Sequence, residues 1–412
     1  SQTINSIKAA VSEAQSSAGV PIRKVTVGIA GKHIRSLQHS DYIMREHPDK
    51  FITDDDIEAL KDQVKKLVML PGEEIIHVLP QEYKVDSEGE IQEPVGMHGK
   101  RLEANFHVVV GQMGSIRNIA RCVREAGLEM EALTLEPLAS SEAVLTKEEK
   151  EAGVAIVDIG GGTTDIAIFK DNIIRHTCVI PYGGGIITED IKEGCSIIEK
   201  HAEQLKVKFG SAVPELEKDS TYVTIPGLHG RPDKEISLKT LAQIINARVE
   251  EILEMVNTEL KAYGAFEQKK KLIAGIVLTG GGSNLKHLRQ LANYTTGFDS
   301  RIGFANEYIA NDKNQYLKGP EFATSIGLLM ESLKIRDKKI NSIEEEPVAE
   351  QPQPKTEAVT TQTETVQQPV QPIETVQHQE VAAEQNENKR AAKLTFGQSL
   401  MEKVKKFFEE VE

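Results

Sequence analysis

Residues 153–169 read apolar run, aspartate, three glycines, two threonines, aspartate, apolar run, and they constrain the fold more than any other stretch. Residues 154–157 are short and β-branched, the pattern of a strand buried on both faces. Residues 166–169 have the same character and predict a strand returning beside the first. Gly160, Gly161 and Gly162 between two strands permit a sharp turn and a close approach of backbone N–H groups to a ligand. Thr163 and Thr164 add hydroxyls. Asp158 and Asp165 then stand where phosphates would arrive, and their charge calls for a cation, most simply Mg²⁺ shared through water. A plain tight turn can carry the same glycines, so this hairpin alone does not decide the matter.

A second stretch, residues 275–291, shifts the balance. It reads strand, then Gly280, Gly281 and Gly282, then helix, with Ser283 as N-cap and Leu285, Leu288 and Leu291 as the apolar stripe. Glycines where a strand opens into a helix suit a nucleotide approaching the positive helix end. Residues 179–191 again read strand, glycine turn and helix, and bring in Gly184. The two strand–Asp/Thr–triple-glycine elements, one a hairpin and one opening a helix, resemble the nucleotide clamp of the sugar-kinase, heat-shock-chaperone and actin superfamily. The resemblance implies ATP with Mg²⁺ as cofactors.

It also implies roles elsewhere. The helix of residues 199–209 would line the nucleoside pocket, making Glu203 and Lys206 ribose or adenine contacts by analogy. Their spacing of three on one helical face reads equally as a surface ion pair. Glu136 ends a strand before Pro137, and a carboxylate there is placed to orient water. The small residues that follow, and those of 323–329, suit either a helix near the nucleotide or a tight helix–helix contact.

Composition narrows the classes. The 412 residues are long enough for two or more domains, and a formal charge of −14 argues against a general nucleic-acid binder. The three cysteines, Cys122, Cys178 and Cys195, are scattered without a C-x-x-C, which predicts buried thiols in a reducing, cytosolic setting. There is no apolar run long enough to span a bilayer and no signal peptide. The chain opens directly into helix-like sequence, so a fragment is expected. Gly31-Lys32 fails as a P-loop, because no earlier glycine stands at the required spacing and His33 follows the lysine.

Residues 32–107 change character. Asp54, Asp55 and Asp56 with Ile57, Leu60, Val64, Leu67 and Val68 predict a capped amphipathic helix, stopped by Pro71-Gly72. Residues 75–79 predict a strand and 87–89 a polar turn. The segment has its own helix, strands and turns and reads as an inserted small domain, with a core strand resuming at His107. Residues 115–124 predict a helix with Gly127 at C′. Residues 237–263 predict a long amphipathic helix whose exposed basic members include Lys239 and Arg248.

Residues 344–388 are Gln, Glu, Pro, Thr and Val, with no aromatic residue and no apolar period, and predict disorder. The end of the chain is different. Leu400, Val404, Phe407, Phe408 and Val411 form one stripe, with Lys403 and Lys406 among the lysines beside it. Such a helix after a tether reads as a membrane-surface anchor, with a partner groove as the competing reading.

With the insertion, the two glycine elements and this tail, the chain closely resembles the FtsA family of bacterial cell-division proteins. The markers are residues 154–165, 77–83, 274–281 and Arg175-His176-Thr177. The resemblance implies an α/β, actin-like ATPase fold of two ribonuclease H-like halves with an FtsA-type insertion, a disordered linker and a C-terminal amphipathic helix. The division it implies is domain I at 1–31 and 108–170, insertion 32–107, domain II at 171–220 and 272–335, its outer part 221–271, linker 336–390 and helix 391–412. It implies polymerisation of the chain with itself at the cytoplasmic face of the membrane, at the septum, attachment of FtsZ filaments, and other division proteins bound through the insertion. ATPase activity would be slow at most. FtsZ tails are acidic in this family, so Arg248 and Lys239 are the expected dock, although a solvated helix face explains them too. The family opens with a strand–Asp-x-Gly-Thr hairpin that is absent here, so an N-terminally truncated chain is expected. A sugar kinase would need a separate substrate domain, a chaperone a folded peptide-binding domain, and a rod-shape actin homologue would lack the insertion and tail. A pilus-assembly homologue is the remaining alternative.

Overall fold

The computed structural model describes residues 2–227, 232–305, 317 and 319–344. The expected linker is corrected at its start, since residues 336–344 continue the helix Ala323–Glu344; the rest of the linker and the C-terminal helix with Leu400, Lys403, Val404, Lys406, Phe407, Phe408 and Val411 lie outside the described residues. In chain order the elements are α1 (Gln2–Ala18), β1 (Lys24–Ile29), β2 (Ile34–Met44), α2 (Asp54–Lys65), β3 (Glu73–Val85), β4 (Glu88–Ile91), β5 (Arg101–Gln112), α3 (Met113–Glu125), β6 (Glu129–Leu135) and α4 (Glu136–Val144). Then follow α5 (Lys147–Ala152), β7 (Val154–Ile159), β8 (Thr164–Lys170), β9 (Ile173–Ile180), α6 (Gly184–Cys195), α7 (Glu199–Phe209), β10 (Tyr222–Ile225) and β11 (Lys234–Ser237). The last are α8 (Leu238–Tyr263), β12 (Gly275–Thr279), α9 (Leu288–Thr296), β13 (Ser300–Ile302) and α10 (Ala323–Glu344).

The central sheet runs β13-β12-β7-β8-β9, with β7 parallel to β12 and antiparallel to β8. Every residue of β7 is buried, because helices cover both faces. Ala155, Val157 and Ile159 join the cluster beneath α6, α7 and α8, while Val154 and Ile156 join the cluster formed with α4 and α10. That alternation is the period of a strand. On the α4–α10 side the helices approach closely: a Cβ on Gly327 would lie 1.8 Å from the Ala139 carbonyl. The small residues there therefore do serve helix contact.

A separate four-stranded sheet, β2-β5-β3-β4, packs its own core against α2 through Ile57, Leu60, Val64, Phe106 and Val108. Three expectations are corrected here. The strand expected from His107 begins at Arg101 and is continuous with this sheet, paired with β2 and β3 along its length. β3 runs through Pro80, which a break in register accommodates. Val68 is almost fully exposed, because α2 stops at Lys65 and residue 68 no longer follows the helical stripe. Gly127 does adopt a positive φ after α3, and Ser237 is the N-cap of α8. All three cysteines are free thiols; Cys195 is buried as expected, while Cys122 and Cys178 are only half-buried. Among the described residues no helix is long and apolar enough to cross a membrane.

Candidate functional site

Three glycine turns meet at one end of the central sheet. The first, Gly160–Gly162, joins β7 to β8; the second precedes and opens α6; the third follows β12. Their approach is possible only without side chains. A Cβ on Gly183 would lie 2.6 Å from the Gly160 carbonyl, and the N–H groups of Gly184 and Gly185 donate to the carbonyls of Gly160 and Gly161 at 2.8 and 2.7 Å. Gly280 has φ +81°, and a Cβ there would lie 2.3 Å from Asp158 Oδ1. By contrast Gly161 and Gly162 face open space, and Gly281 meets only Glu321 at 3.9 Å. These three leave room for a ligand.

The turns enclose a cavity of about 330 Å³ lined by Gly160, Gly161, Gly184, Glu203, Lys206, Gly281 and Gly282, with Ile187, Val207, Asn284, Leu285 and Glu321. Lys206 Nζ donates to the Gly184 carbonyl and to Thr188 Oγ1, both at 2.7 Å, and pairs with Glu203 at 2.8 Å. Thr188 in turn donates to Glu203 at 2.5 Å. The pair is thus braced at the cavity wall. Burial raises the Glu203 pKa, but bonds from Lys206 and Thr188 outweigh it and hold the carboxyl below its usual range.

Behind the glycines sit three carboxyls. Asp158 and Asp165 are directly opposed across β7 and β8, so both side chains point to one face. Asp158 accepts from Ser140 Oγ at 2.6 Å and Thr324 Oγ1 at 3.1 Å. Burial raises its pKa against those two bonds. Asp165 Oδ2 accepts from Thr163 Oγ1 at 2.7 Å, while Asp165 Oδ1 is buried with no hydrogen-bond partner. Burial, followed by the charges of Glu136 and Asp158 and opposed by the Thr163 bond, pushes Asp165 up to about 7. Glu136 is the first residue of α4, packed against Gly28 of β1, and its pKa is raised by burial and by Asp158.

An unpartnered buried oxygen beside a second carboxylate is what a cation would relieve. Among the described residues no three His, Cys, Asp or Glu side chains converge as a ligand set. An ion here would take its other ligands from water and phosphate, which suits Mg²⁺. The donor set fits that ion.

Two expected roles are corrected. Thr164 is buried and donates to the Tyr182 carbonyl at 2.8 Å, because it points to the face opposite Asp165. Ser283 caps no helix: its hydroxyl donates back to the Thr279 carbonyl at 2.6 Å inside a 3₁₀ turn, Gly281–Asn284, and α9 begins only at Leu288. Leu285 accordingly lines the cavity and lies outside the helical stripe. The expected basic dock is also altered. Arg248 bonds both oxygens of Asp190, at 2.6 and 3.0 Å, and pairs with Glu251, so its charge is already matched. Lys239 pairs with Asp219 at 2.6 Å and lines a different cleft of about 510 Å³, beside β10 and β11. A cleft of about 810 Å³ lies between β3, β4, β9 and the end of α8. Both exceed the glycine-lined cavity, but neither is lined by any of its glycines or by the three carboxyls.

Sequence reasoning missed Thr188, Asn284 and Glu321. The period of two along β8 was a signal for the Thr164 orientation. Ser140 and Thr324 lie in stretches read as small residues near the nucleotide or in helix contact; what the sequence did not show is that their hydroxyls meet each other and Asp158 from helices far apart in sequence.

Comparison with known proteins matches the chain to two family models, "Cell division protein FtsA" over residues 155–327 and "SHS2 domain inserted in FTSA" over residues 31–110. It is 38% identical over 333 residues to the cell division protein FtsA of Pseudomonas aeruginosa, covering 81% of this chain and 78% of that protein. It is 37% identical over 333 residues to that of Neisseria meningitidis, covering 81% and 79%. Among solved structures, the PilM-PilN type IV pilus biogenesis complex shares the fold at TM-score 0.57 and 18% identity, over 81% of this chain and 85% of that chain. The architecture is an actin-like ATPase fold carrying an SHS2 insertion.

Proposed function

Because the chain belongs to the FtsA family of cell-division proteins, we propose that it binds Mg-ATP between its glycine turns, assembles with itself on the cytoplasmic membrane at the septum, and tethers FtsZ filaments there. The observation that supports nucleotide binding best is the buried, unpartnered Asp165 Oδ1 behind three converging glycine turns. Gly160, Gly161 and Gly162, with Thr163 at their edge, would hold the triphosphate. Asp158 and Asp165 would hold Mg²⁺ through water, and the ion would neutralise the phosphates. Glu203 and Lys206 would meet the ribose, and Gly281 and Gly282 would offer a flat backbone surface to the base.

Glu136 holds the attacking water, and its raised pKa brings it closer to the range useful for a general base. Ser140 and Thr324 bond Asp158 and oppose the rise in its pKa that burial causes. Turnover is slow in this reading. In the same reading, the insertion built on the β2-β5-β3-β4 sheet receives other division proteins, and Lys239 is the better of the two basic candidates for an acidic FtsZ peptide. The stripe of Leu400, Val404, Phe407, Phe408 and Val411 lies in an anionic membrane surface, with Lys403 and Lys406 beside the headgroups.

Titration of the purified chain with a fluorescent ATP analogue tests the site. Gly281 has room for a side chain in the ligand-free fold, so Gly281→Val leaves the protein folded and removes binding. Asp158→Ala weakens it and abolishes its Mg²⁺ dependence. Equal affinity in both variants and the wild type would refute the site. Co-sedimentation with anionic vesicles tests the anchor: Phe407→Glu with Phe408→Glu leaves the protein in the supernatant, and a variant that still pellets points to a protein groove instead.

A further inference from the structure

We propose that His77 is a positioning residue for Glu136, and that through it the inserted sheet is coupled to the nucleotide site; this rests on the nucleotide reading above. β2, β3 and β5 of the inserted sheet all touch β9, and β3 also reaches β6. The register of β3 against β5 shifts twice, between Ile75 and His77 and between Pro80 and Glu82. A bulge re-aims the side chain next to it. At both breaks a side chain leaves the insertion and bonds the backbone of the nucleotide-binding part. His77 Nε2 accepts the Leu135 N–H at 3.0 Å, and Gln81 Nε2 donates to the Ile174 carbonyl at 2.6 Å.

The two bonds end in different places. Ile174 is on β9, the edge of the central sheet. Leu135 is the last residue of β6 and the N-cap of α4, and Glu136 follows it directly. The bond from Leu135 therefore anchors the Thr134–Leu135 peptide, one residue ahead of Glu136, and so limits how the chain enters the turn that carries Glu136. Glu136 is held on its other side by the backbone of Gly28. A load on the inserted sheet, from a bound partner or a neighbouring copy, moves β3, and β3 carries His77. The ring acts as an acceptor at Nε2, so its proton sits on Nδ1; burial lowers its pKa to about 4 and keeps it neutral. Gln81 supplies an internal control, a side chain of the same strand bonded to backbone elsewhere, though as donor where His77 is acceptor.

The test uses the full chain with Mg-ATP, measuring turnover and nucleotide affinity separately. His77→Leu removes the acceptor and lowers turnover about tenfold with affinity changed less than about twofold, the signature of a group acting on the reaction and not on binding. His77→Gln, which returns an acceptor near the Nε2 position, restores turnover. Gln81→Leu leaves turnover near the wild-type value. Wild-type turnover in His77→Leu, or an equal loss in Gln81→Leu, overturns the proposal. If His77→Leu does not fold, the wild-type protein decides: the His77 Nε2 signal in ¹⁵N-histidine spectra shifts on saturation with Mg-ATP, and an unmoved signal overturns the coupling while leaving the binding site standing. A wild type that binds no nucleotide in the titration overturns both.

Discussion

Asp165→Asn should stabilise the ligand-free protein at alkaline pH and lose that advantage as the pH falls. The Asp165 carboxyl is buried, and its pKa rises from 3.8 to about 7 in the fold. Between those values the folded protein holds a proton that the unfolded chain releases, so this group's contribution to stability falls as pH rises through the window. Three units at about 1.4 kcal/mol each set a ceiling near 4 kcal/mol. The asparagine removes the charge at every pH. It also places an N–H where Oδ1 has no partner, a fixed cost of about 1–3 kcal/mol. Comparing two pH values cancels that cost. The variant's advantage over wild type at pH 8 should exceed its advantage at pH 5 by about 2–3 kcal/mol. His77 and His107, both lowered to about 4 by burial, give the whole protein an opposite trend, with stability lost as pH falls below about 6.5. Both are present in variant and wild type alike, so they drop out of the difference. Urea unfolding at the two pH values, without nucleotide or metal, measures it. An advantage equal at pH 5 and pH 8 would mean that Asp165 stays ionised throughout, and the argument for a cation-seeking oxygen would fail with it.

Gly280→Ala should cost about 2–4 kcal/mol, since a side chain there is strained at positive φ and strikes Asp158 and the Ile159 carbonyl; thermal unfolding measures it, and a loss below about 0.5 kcal/mol would show that the turn relaxes freely. Arg248→Glu should cost about 2–4 kcal/mol by setting a carboxylate against Asp190 and Glu251, seen as a lower urea midpoint. Lys239→Glu should change stability by less than about 0.5 kcal/mol yet weaken an acidic FtsZ peptide in an anisotropy titration; unchanged peptide affinity removes Lys239 from the dock.

Much of the site was legible in the sequence because glycine is the residue that reports backbone proximity. Gly280 and Gly183 stand where another chain segment approaches too closely for a Cβ, and that demand is written into residue type. The opposed pair Asp158 and Asp165 followed from a tight hairpin between two buried strands. Hydroxyl direction was less legible. Thr164 and Ser283 have the right chemistry, but each found a backbone carbonyl nearer than any ligand. The three-carboxyl arrangement was hidden for another reason: Glu136 meets the aspartates through packing across the sheet, which no local pattern records. Arg248 shows the same limit, since its partner Asp190 lies on a different helix.

The central claim is that the glycine turns hold a nucleotide over the aspartate pair. A crystal structure with Mg²⁺ and a non-hydrolysable ATP analogue tests it most directly. The account predicts the phosphates against Gly160, Gly161 and Gly162, the ion nearest Asp165 Oδ1, and the base beside Gly281 and Gly282. Analogue bound in the cleft beside β10 and β11 or in that beside β3, with the glycine turns empty at saturating concentration, would contradict it.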